Sequence, residues 1–404
     1  MTTVRTALVI GGGIAGPVTA MALRRAGIEA TVYEAYASSA EGIGGTLTIA
    51  PNGLDALRAV GAEAAVRAVG QPVTRTVITD GRGRRIGELP GLPDLPPSQA
   101  MWRSELYRAV HDQAVASGVP IEHGRRLVGV EEGPGGVTAR FADGGSATAD
   151  LLVGADGIRS TVRTVIDPGA PAPRHVPLLN FGGLADVAVP GAGTDAACFV
   201  FGARGFFGYW VQPDGRTAWF ANLPHREPMS AAQARASSAE EWLRRLREIY
   251  AGDLPGGDLL RHTAAEQLVV LGSVEIMPSV PHWHRGRMVL VGDSAHAPSP
   301  SSGQGASLAA ESAVELARCL RDVPDLTRAF EAYVRLRRPR VEKVAARAAK
   351  TNTTKTMGPA AISMMRLMMP LAMRTFLAPE RTIGPEQRHH IDWDAPVAAS
   401  LNEG

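Results

Sequence analysis

The chain has 404 residues, 45% of them hydrophobic, with a formal net charge of +2 and only two cysteines. That length exceeds one core of typical size, so two structural units sharing a cleft are expected. Cys198 and Cys319 stand far apart without a pairing motif, which excludes a disulfide framework and a cysteine-based metal site; the arginines form no run interleaved with aromatics, so no nucleic-acid partner is expected.

Residues 4–10, VRTALVI, read as a short buried strand, and Ala15 to Ala26 as a helix that Gly27 ends. A second strand, ATVYEA, follows at 30–35 and completes a βαβ unit. The apolar run Ala7 to Ile10 is too short for a secretory signal and leads straight into glycines, so a cytoplasmic protein is expected. Between strand and helix stands Gly11-Gly12-Gly13-Ile14-Ala15-Gly16, a GxGxxG spacing. Gly11 permits the tight turn, Gly13 lets backbone approach a pyrophosphate, and Gly16 lets helix pack closely on strand. The amides at Ile14 and Ala15 open the helix, whose N-terminus favours phosphate. Glu34, followed by Ala35, closes the second strand 23 residues after Gly11. A carboxylate there accepts from ribose hydroxyls and repels a 2′-phosphate, which selects FAD or NAD over NADP at this site.

Further along, the loop GGTLTIAPN at 44–52 is a candidate for substrate contact, and Arg103 lies in WRSELYRAV. Leu127 lies in the strand RLVGVE, and the Gly133–Gly136 cluster reads as a hairpin turn with no helix after it. LLVGADGIRSTVR at 151–163 is an apolar strand ending in Asp156-Gly157. From about 176 to 284 the pattern changes to short aromatic, β-prone runs such as FGYWVQP and TAWFANLP, which suggest an antiparallel sheet. One helix, AEEWLRRLREIYAG at 239–252, interrupts it. The α/β pattern returns with MVLVGDSAHAPSPSSGQGASLAAESAVELA at 288–317, a strand ending in Gly292-Asp293, then a loop, then a helix opened by Gly303-Gln304-Gly305. Methionines 357, 364, 365, 368, 369 and 373 fall on an amphipathic helix near the C-terminus. The segment 358–378 carries Arg366 and Arg374 and contains Pro359 and Pro370, so neither a membrane span nor membrane contact is expected.

The three motifs, in this order, resemble the flavoprotein aromatic hydroxylases typified by para-hydroxybenzoate hydroxylase, which also include the tetracycline-inactivating monooxygenases. The resemblance covers roughly residues 4–345 and implies an α/β (α+β overall) fold: a discontinuous Rossmann-like FAD-binding domain, an inserted antiparallel-sheet substrate domain and C-terminal helices. The expected boundaries are 1–72, 98–174 and 285–345 for the FAD-binding domain, 73–97 and 175–284 for the substrate domain, and 346–404 for the helical segment. The resemblance implies that Arg103 contacts FAD and that the Leu127 backbone meets the adenine. It places Asp156 near both FAD and an incoming nicotinamide, and Asp293 on the ribityl chain. Pro300 shapes the loop beside the flavin ring, and Gly303, Gly305, Ala306 and Ser307 form the amide-bearing turn that stabilises charge on reduced flavin. Where the family often has asparagine, this chain has Ser307, and its Gly-Asp motif continues Ser294-Ala295-His296.

The implied reaction is hydroxylation of a small aromatic or polycyclic substrate through a C4a-hydroperoxyflavin, with NADPH or NADH as transient electron donor and O2 as co-substrate. No second GxGxxG follows a strand, which argues against a separate NADPH domain. No lysine occurs before Lys343, which argues against a flavin halogenase. Epoxidation, Baeyer–Villiger oxidation and a non-catalytic flavin-bound accessory role remain alternatives. No catalytic residue and no metal site is singled out. His296 reads as a structural hydrogen-bonding residue, and His389-His390 as a solvated pair. Asn180, Tyr209, Phe220 and Asn222 are the candidate substrate contacts, and the chain is expected to be a monomer or homodimer.

Overall fold

The computed structural model describes residues 4–37, 44–354, 359–375 and 378–402. At its centre is a six-stranded sheet in the spatial order 284–285, 288–290, 151–154, 6–10, 29–33, 121–122. All neighbours run parallel except the edge hairpin His284–Arg285 with Met288–Leu290. The strand Thr6–Ile10 pairs with Leu151–Gly154 on one side and Glu29–Tyr33 on the other. Helices cover both faces, which is why its residues from Ala7 to Ile10 are all apolar and buried rather than alternating. Two long helices, Ala15–Arg25 and Gly305–Asp322, lie against each other on this sheet.

A seven-stranded sheet runs in the order 269–276, 174–185, 217–224, 206–211, 196–201, 75–80, 85–90. Its pairs are antiparallel, as expected from the aromatic short runs, with one exception: Ala196–Phe201 lies parallel to Arg75–Asp80, because the latter joins from a distant part of the chain. One face packs on the helix Ala239–Tyr250. That helix starts where the Ser238 hydroxyl accepts from Glu241 N–H at 3.2 Å and buries Trp242, Leu243, Leu246 and Tyr250 at helical spacing. Beneath it Trp219 is fully buried, its indole N–H donating to Thr263 Oγ1 at 2.9 Å. Burying a side chain of this kind stabilises by about 1.5–3 kcal/mol. The opposite face looks toward a small three-stranded sheet of Thr46–Ile49, Ser98–Trp102 and Gln71–Val73: Leu184, Trp210 and Ala218 pack on Ala100, and a Cβ on Gly182 would stand 4.0 Å from Gly45, just before the strand Thr46–Ile49.

The helix Leu326–Thr354 runs straight through position 345, so the C-terminal segment is continuous with what precedes it. Pro339 lies inside it at the cost of a backbone hydrogen bond. Arg337 and Arg340, on either side of the proline, are both anchored to Glu311. The methionine-bearing helix Pro359–Arg374 packs on the strand Arg85–Pro90, burying Ile362 and Ala372 while Met364, Leu367 and Met368 are exposed. Met357 and the Met373 side chain lie outside the described residues. Among the described residues no helix is long and apolar enough to cross a membrane.

Candidate cofactor and substrate cleft

The glycine fingerprint is built by exclusion. Gly11 has φ +108°, and a Cβ there would strike the Ala155 carbonyl of the strand beside it. A Cβ on Gly16 would overlap the Gly11 carbonyl oxygen, so helix and turn pack as closely as backbone allows. Gly13 has nothing within 4 Å, which leaves the space a pyrophosphate needs. Ile14 is the N-cap residue and Ala15 the first residue of the helix. The Gly12 N–H donates to Glu34 Oε2 at 2.6 Å and the Tyr36 N–H to Oε1 at 2.9 Å, which hold the carboxylate beside the turn. Ala35 lies in the bend that follows, and Leu127 buries its side chain at the start of the strand Leu127–Gly133.

The other two motifs interlock with the first. Gly292 has φ +60°, and a Cβ there would stand 2.9 Å from the Ala15 Cβ. Arg163 is buried and donates from Nη1 to the Ser294 carbonyl at 3.0 Å and from Nη2 to the Ile158 carbonyl at 2.7 Å. Ser294 in turn donates from Oγ to the Gly154 carbonyl at 2.5 Å. Asp156 spends its carboxylate on the helix Thr161–Ile166, taking Thr161 N–H at 2.7 Å and Val162 N–H at 3.1 Å, together with the Ser160 hydroxyl. Burial raises its pKa against those hydrogen bonds. It therefore caps a helix start, with its Cα against Gly11.

Asp293 behaves differently. It is exposed to water, yet surrounding protein raises its pKa and the Arg103 charge lowers it. It stands just past the end of the strand Met288–Leu290, within the field of Arg103. The Arg103 stem crosses Gly44, whose φ is +114°, and the Arg103 N–H donates to the Gly45 carbonyl at 3.0 Å. Pro300 opens a single turn, Pro300–Ser302, capped by Ser299 Oγ and ended by Gly303 at φ +61°. The helix Gly305–Asp322 then begins, and the first backbone N–H to find an acceptor within it is that of Leu308, on Gln304. The amides of Gly305, Ala306 and Ser307 lack intrahelical acceptors and offer a positive end to a ligand. The Ser307 hydroxyl faces away from that end, accepting from Ala50 N–H at 3.2 Å.

On the seven-stranded sheet, register decides which side chains face the cleft. Asn180 pairs with Asn222 and Asn222 with Phe206; Gly182 pairs with Phe220, Phe220 with Gly208 and Gly208 with Phe199. These positions share the face turned to Gly45. The Asn222 amide N–H donates to Asn180 Oδ1, and Phe199, Phe206 and Phe220 form one aromatic cluster with centroids 5.6 to 6.1 Å apart. None of these cross-strand positions is basic. Tyr209 must be removed from the candidate contacts: it pairs with Trp219 on the opposite face and is buried in the core beneath the helix Ala239–Tyr250. Phe199 and Phe206 take its place, and only the register, which no local pattern reveals, could have found them.

Two further readings need correction. Asn52, in the loop expected to touch substrate, is buried and turned inward to Glu311 and Gln304. His389 is not solvated: it is half-buried 4.0 Å from Glu311, and burial pushes its pKa down to about 4, while His390 alone is exposed, beside Asp55. His296 is buried with Nε2 2.9 Å from Ser312 Oγ, the structural role expected of it. Among the described residues no cluster of three or more potential metal ligands occurs.

The open space at Gly13, the unsatisfied amides at 305–307 and the water-exposed Asp293 beside the Arg103 charge fit an elongated dinucleotide such as FAD. Comparison with known proteins agrees. The family model described as "FAD binding domain" matches residues 4–348. An aurachin C monooxygenase/isomerase from Stigmatella aurantiaca is 32% identical over 345 residues, covering 83% of this chain and 86% of that protein. An FAD-dependent urate hydroxylase from Klebsiella pneumoniae is 30% identical, covering 85% and 88%. The crystal structure of Klebsiella pneumoniae HpxO complexed with FAD and uric acid superposes with a TM-score of 0.80 at 26% identity, over 95% of this chain and 96% of that one. Tetracycline destructase Tet(55) shares the fold, with a TM-score of 0.71 at 20% identity, over 93% and 97%.

Proposed function

The chain belongs to the FAD binding domain family, as an FAD-dependent monooxygenase of the aromatic hydroxylase type, and from that premise we propose that it hydroxylates a small, uncharged aromatic or polycyclic substrate using NADPH or NADH. Gly11, Gly13, Ile14, Ala15 and Gly16 cradle the FAD pyrophosphate, Glu34 and Ala35 the adenosine ribose, and Leu127 the adenine. Arg103, Asp156 and Asp293 lie along the rest of the cofactor, and Pro300, Gly303, Gly305, Ala306 and Ser307 surround the flavin end. When bound, FAD supplies the electrons and the activation of O2. The polypeptide binds, orients and excludes water. The amides at 305–307 stabilise negative charge at the flavin end, and the cluster of Phe199, Phe206 and Phe220 holds a flat substrate. Asn180 and Asn222 hydrogen-bond its polar edge.

The observation that carries this reading is the facing of two surfaces, an uncharged aromatic sheet face opposite a dinucleotide cleft. A carboxylate substrate would find no cation at the cross-strand positions of that face. The test uses FAD-loaded protein, NADPH or NADH, and a panel of uncharged aromatic and polycyclic compounds beside their carboxylate analogues. Uncharged compounds are expected to stimulate nicotinamide oxidation and to gain one oxygen atom by mass. Stimulation by carboxylates alone would sink the substrate class, and stimulation by nothing in the panel would favour an accessory role.

A further inference from the structure

Beneath the flavin end of the cleft lies a buried polar cluster that no step above employs. Glu311, on the helix Gly305–Asp322, is 1% exposed and accepts from Asn52 Nδ2 at 2.6 Å, Arg337 Nη2 at 2.7 Å, Arg340 Nη2 at 2.6 Å and Arg340 Nε at 2.7 Å. Burial alone would raise its pKa, but the Arg337 and Arg340 charges outweigh burial and hold it well below the usual carboxylate range. Glu311 is therefore an anion at neutral pH and a fixed anchor. Asn52 spends its second amide proton on Gln304 Oε1 at 2.9 Å. Gln304 is the N-cap residue of that same helix, set between Gly303 and Gly305. Arg337 also donates to the Leu308 carbonyl at 3.4 Å and to Ser312 Oγ at 3.3 Å, and Ser312 meets His296, three residues past Asp293. Asn52 Oδ1 and Arg337 Nη1 are buried without a partner. Asn52 thus bridges Glu311 and Gln304 although its own Oδ1 goes without a partner among the side chains around it. A merely stabilising core would fill such a site with apolar groups.

We infer that Asn52 and Glu311 are positioning residues for the flavin: Glu311 orients Asn52, and Asn52 fixes Gln304 and with it the amide-bearing turn Gly303–Ala306. Gly303 and Gly305 carry no side chain to brace the turn, and nothing lies within 4 Å of a Cβ built on Gly305. The Gln304 side chain is the handle by which the interior holds it. An amide aimed at developing charge acts only while its direction is held, so loosening the turn weakens binding of reduced flavin more than of oxidised flavin.

The variant Asn52→Leu keeps the volume and removes both hydrogen bonds. Its reading is the flavin midpoint potential, by dye-coupled photoreduction, alongside FAD affinity and thermal midpoint. The expected result is a tenfold loss of affinity for reduced relative to oxidised FAD, equivalent to a fall of about 30 mV for a two-electron couple. Gln304→Met, which removes the same contact from the other end, is expected to shift the potential equally, and the double variant no further. Gln304→Met alone decides the matter if Asn52→Leu does not fold. A potential at the wild-type value, with only a lower thermal midpoint or an equal loss of both redox states, would overturn the inference and leave the cluster a structural brace.

Discussion

Gly292 shows how narrowly one residue can be specified. Its φ of +60° costs an L-residue about 1–2 kcal/mol, and a methyl there would press on Ala15 at 2.9 Å and Ala309 at 3.4 Å. Ala15 opens the fingerprint helix and Ala309 lies on the helix Gly305–Asp322, so neither can retreat without moving one of the two glycine-rich turns. Gly292→Ala is expected to lower the thermal midpoint and to reduce FAD retention through gel filtration at least tenfold; full retention would show that the motifs need not interlock. Among the aromatics, Phe220→Ala is expected to weaken substrate binding about 3–10-fold, the worth of an aromatic contact, read from substrate-induced changes in flavin absorbance. Tyr209→Phe, on the buried face, should leave that binding unchanged. The glycines, Glu34 and Asp293 stand out in the sequence as candidates because backbone sterics and carboxylate chemistry tie them to their positions in a motif. The choice between Tyr209 and Phe206 was not legible, because neighbouring strand residues differ only in register.

At the scale of elements, the helix Gly305–Asp322 holds the molecule together. Its sequence places Glu311, Glu315 and Arg318 where a surface face would be read, yet all three are buried: the helix Leu326–Thr354 supplies partners to Glu311, the C-terminal tail supplies them to Arg318, and Arg318 pairs with Glu315. The tail itself is pinned by Trp393, whose ring lies between Arg25 at 4.6 Å and Arg321 at 4.9 Å. Arg321 also donates to the Trp393 carbonyl at 2.5 Å. Trp393→Ala should destabilise by about 3 kcal/mol, through lost burial and two lost cation–π contacts. Urea unfolding measures this, and a loss below about 1 kcal/mol would mean that the tail is peripheral. The opening βαβ unit, the helix Ala239–Tyr250 and the helix Gly305–Asp322 were readable from local pattern. The burial of those charges was not, because a charge reveals its burial only through its partner.

For the whole molecule, the buried histidines set the acid limit. Burial, helped by the Arg337 charge, pushes the His296 pKa down to about 3 from its ordinary 6.5. The unfolded chain binds a proton at this residue below pH 6.5, whereas the folded chain does so only near pH 3. Stability is therefore fully present above 6.5 and is lost as pH falls toward 3. His389, lowered to about 4, acts in the same direction. Asp156, raised by burial, acts in the opposite sense as pH rises above 3.8 and offsets part of the loss. Between pH 7 and pH 5 His296 alone should remove about 2 kcal/mol. Urea midpoints at the two pH values test it, and His296→Gln should flatten the dependence. An unchanged slope in that variant would assign the acid sensitivity elsewhere.

The chain order of three motifs was enough to determine the family, the cofactor class and the discontinuous layout of α/β and β-rich segments, because each motif encodes a backbone geometry that few residue types tolerate. Tertiary structure alone decided which residues share the sheet face turned to Gly45, that Asn180 and Asn222 lie on that face while Asn52 turns inward, and that Glu311 is an interior anion. Those outcomes depend on register and on partners from Asn52 to Arg340, distant in the chain, and neither is written in any local stretch of residues.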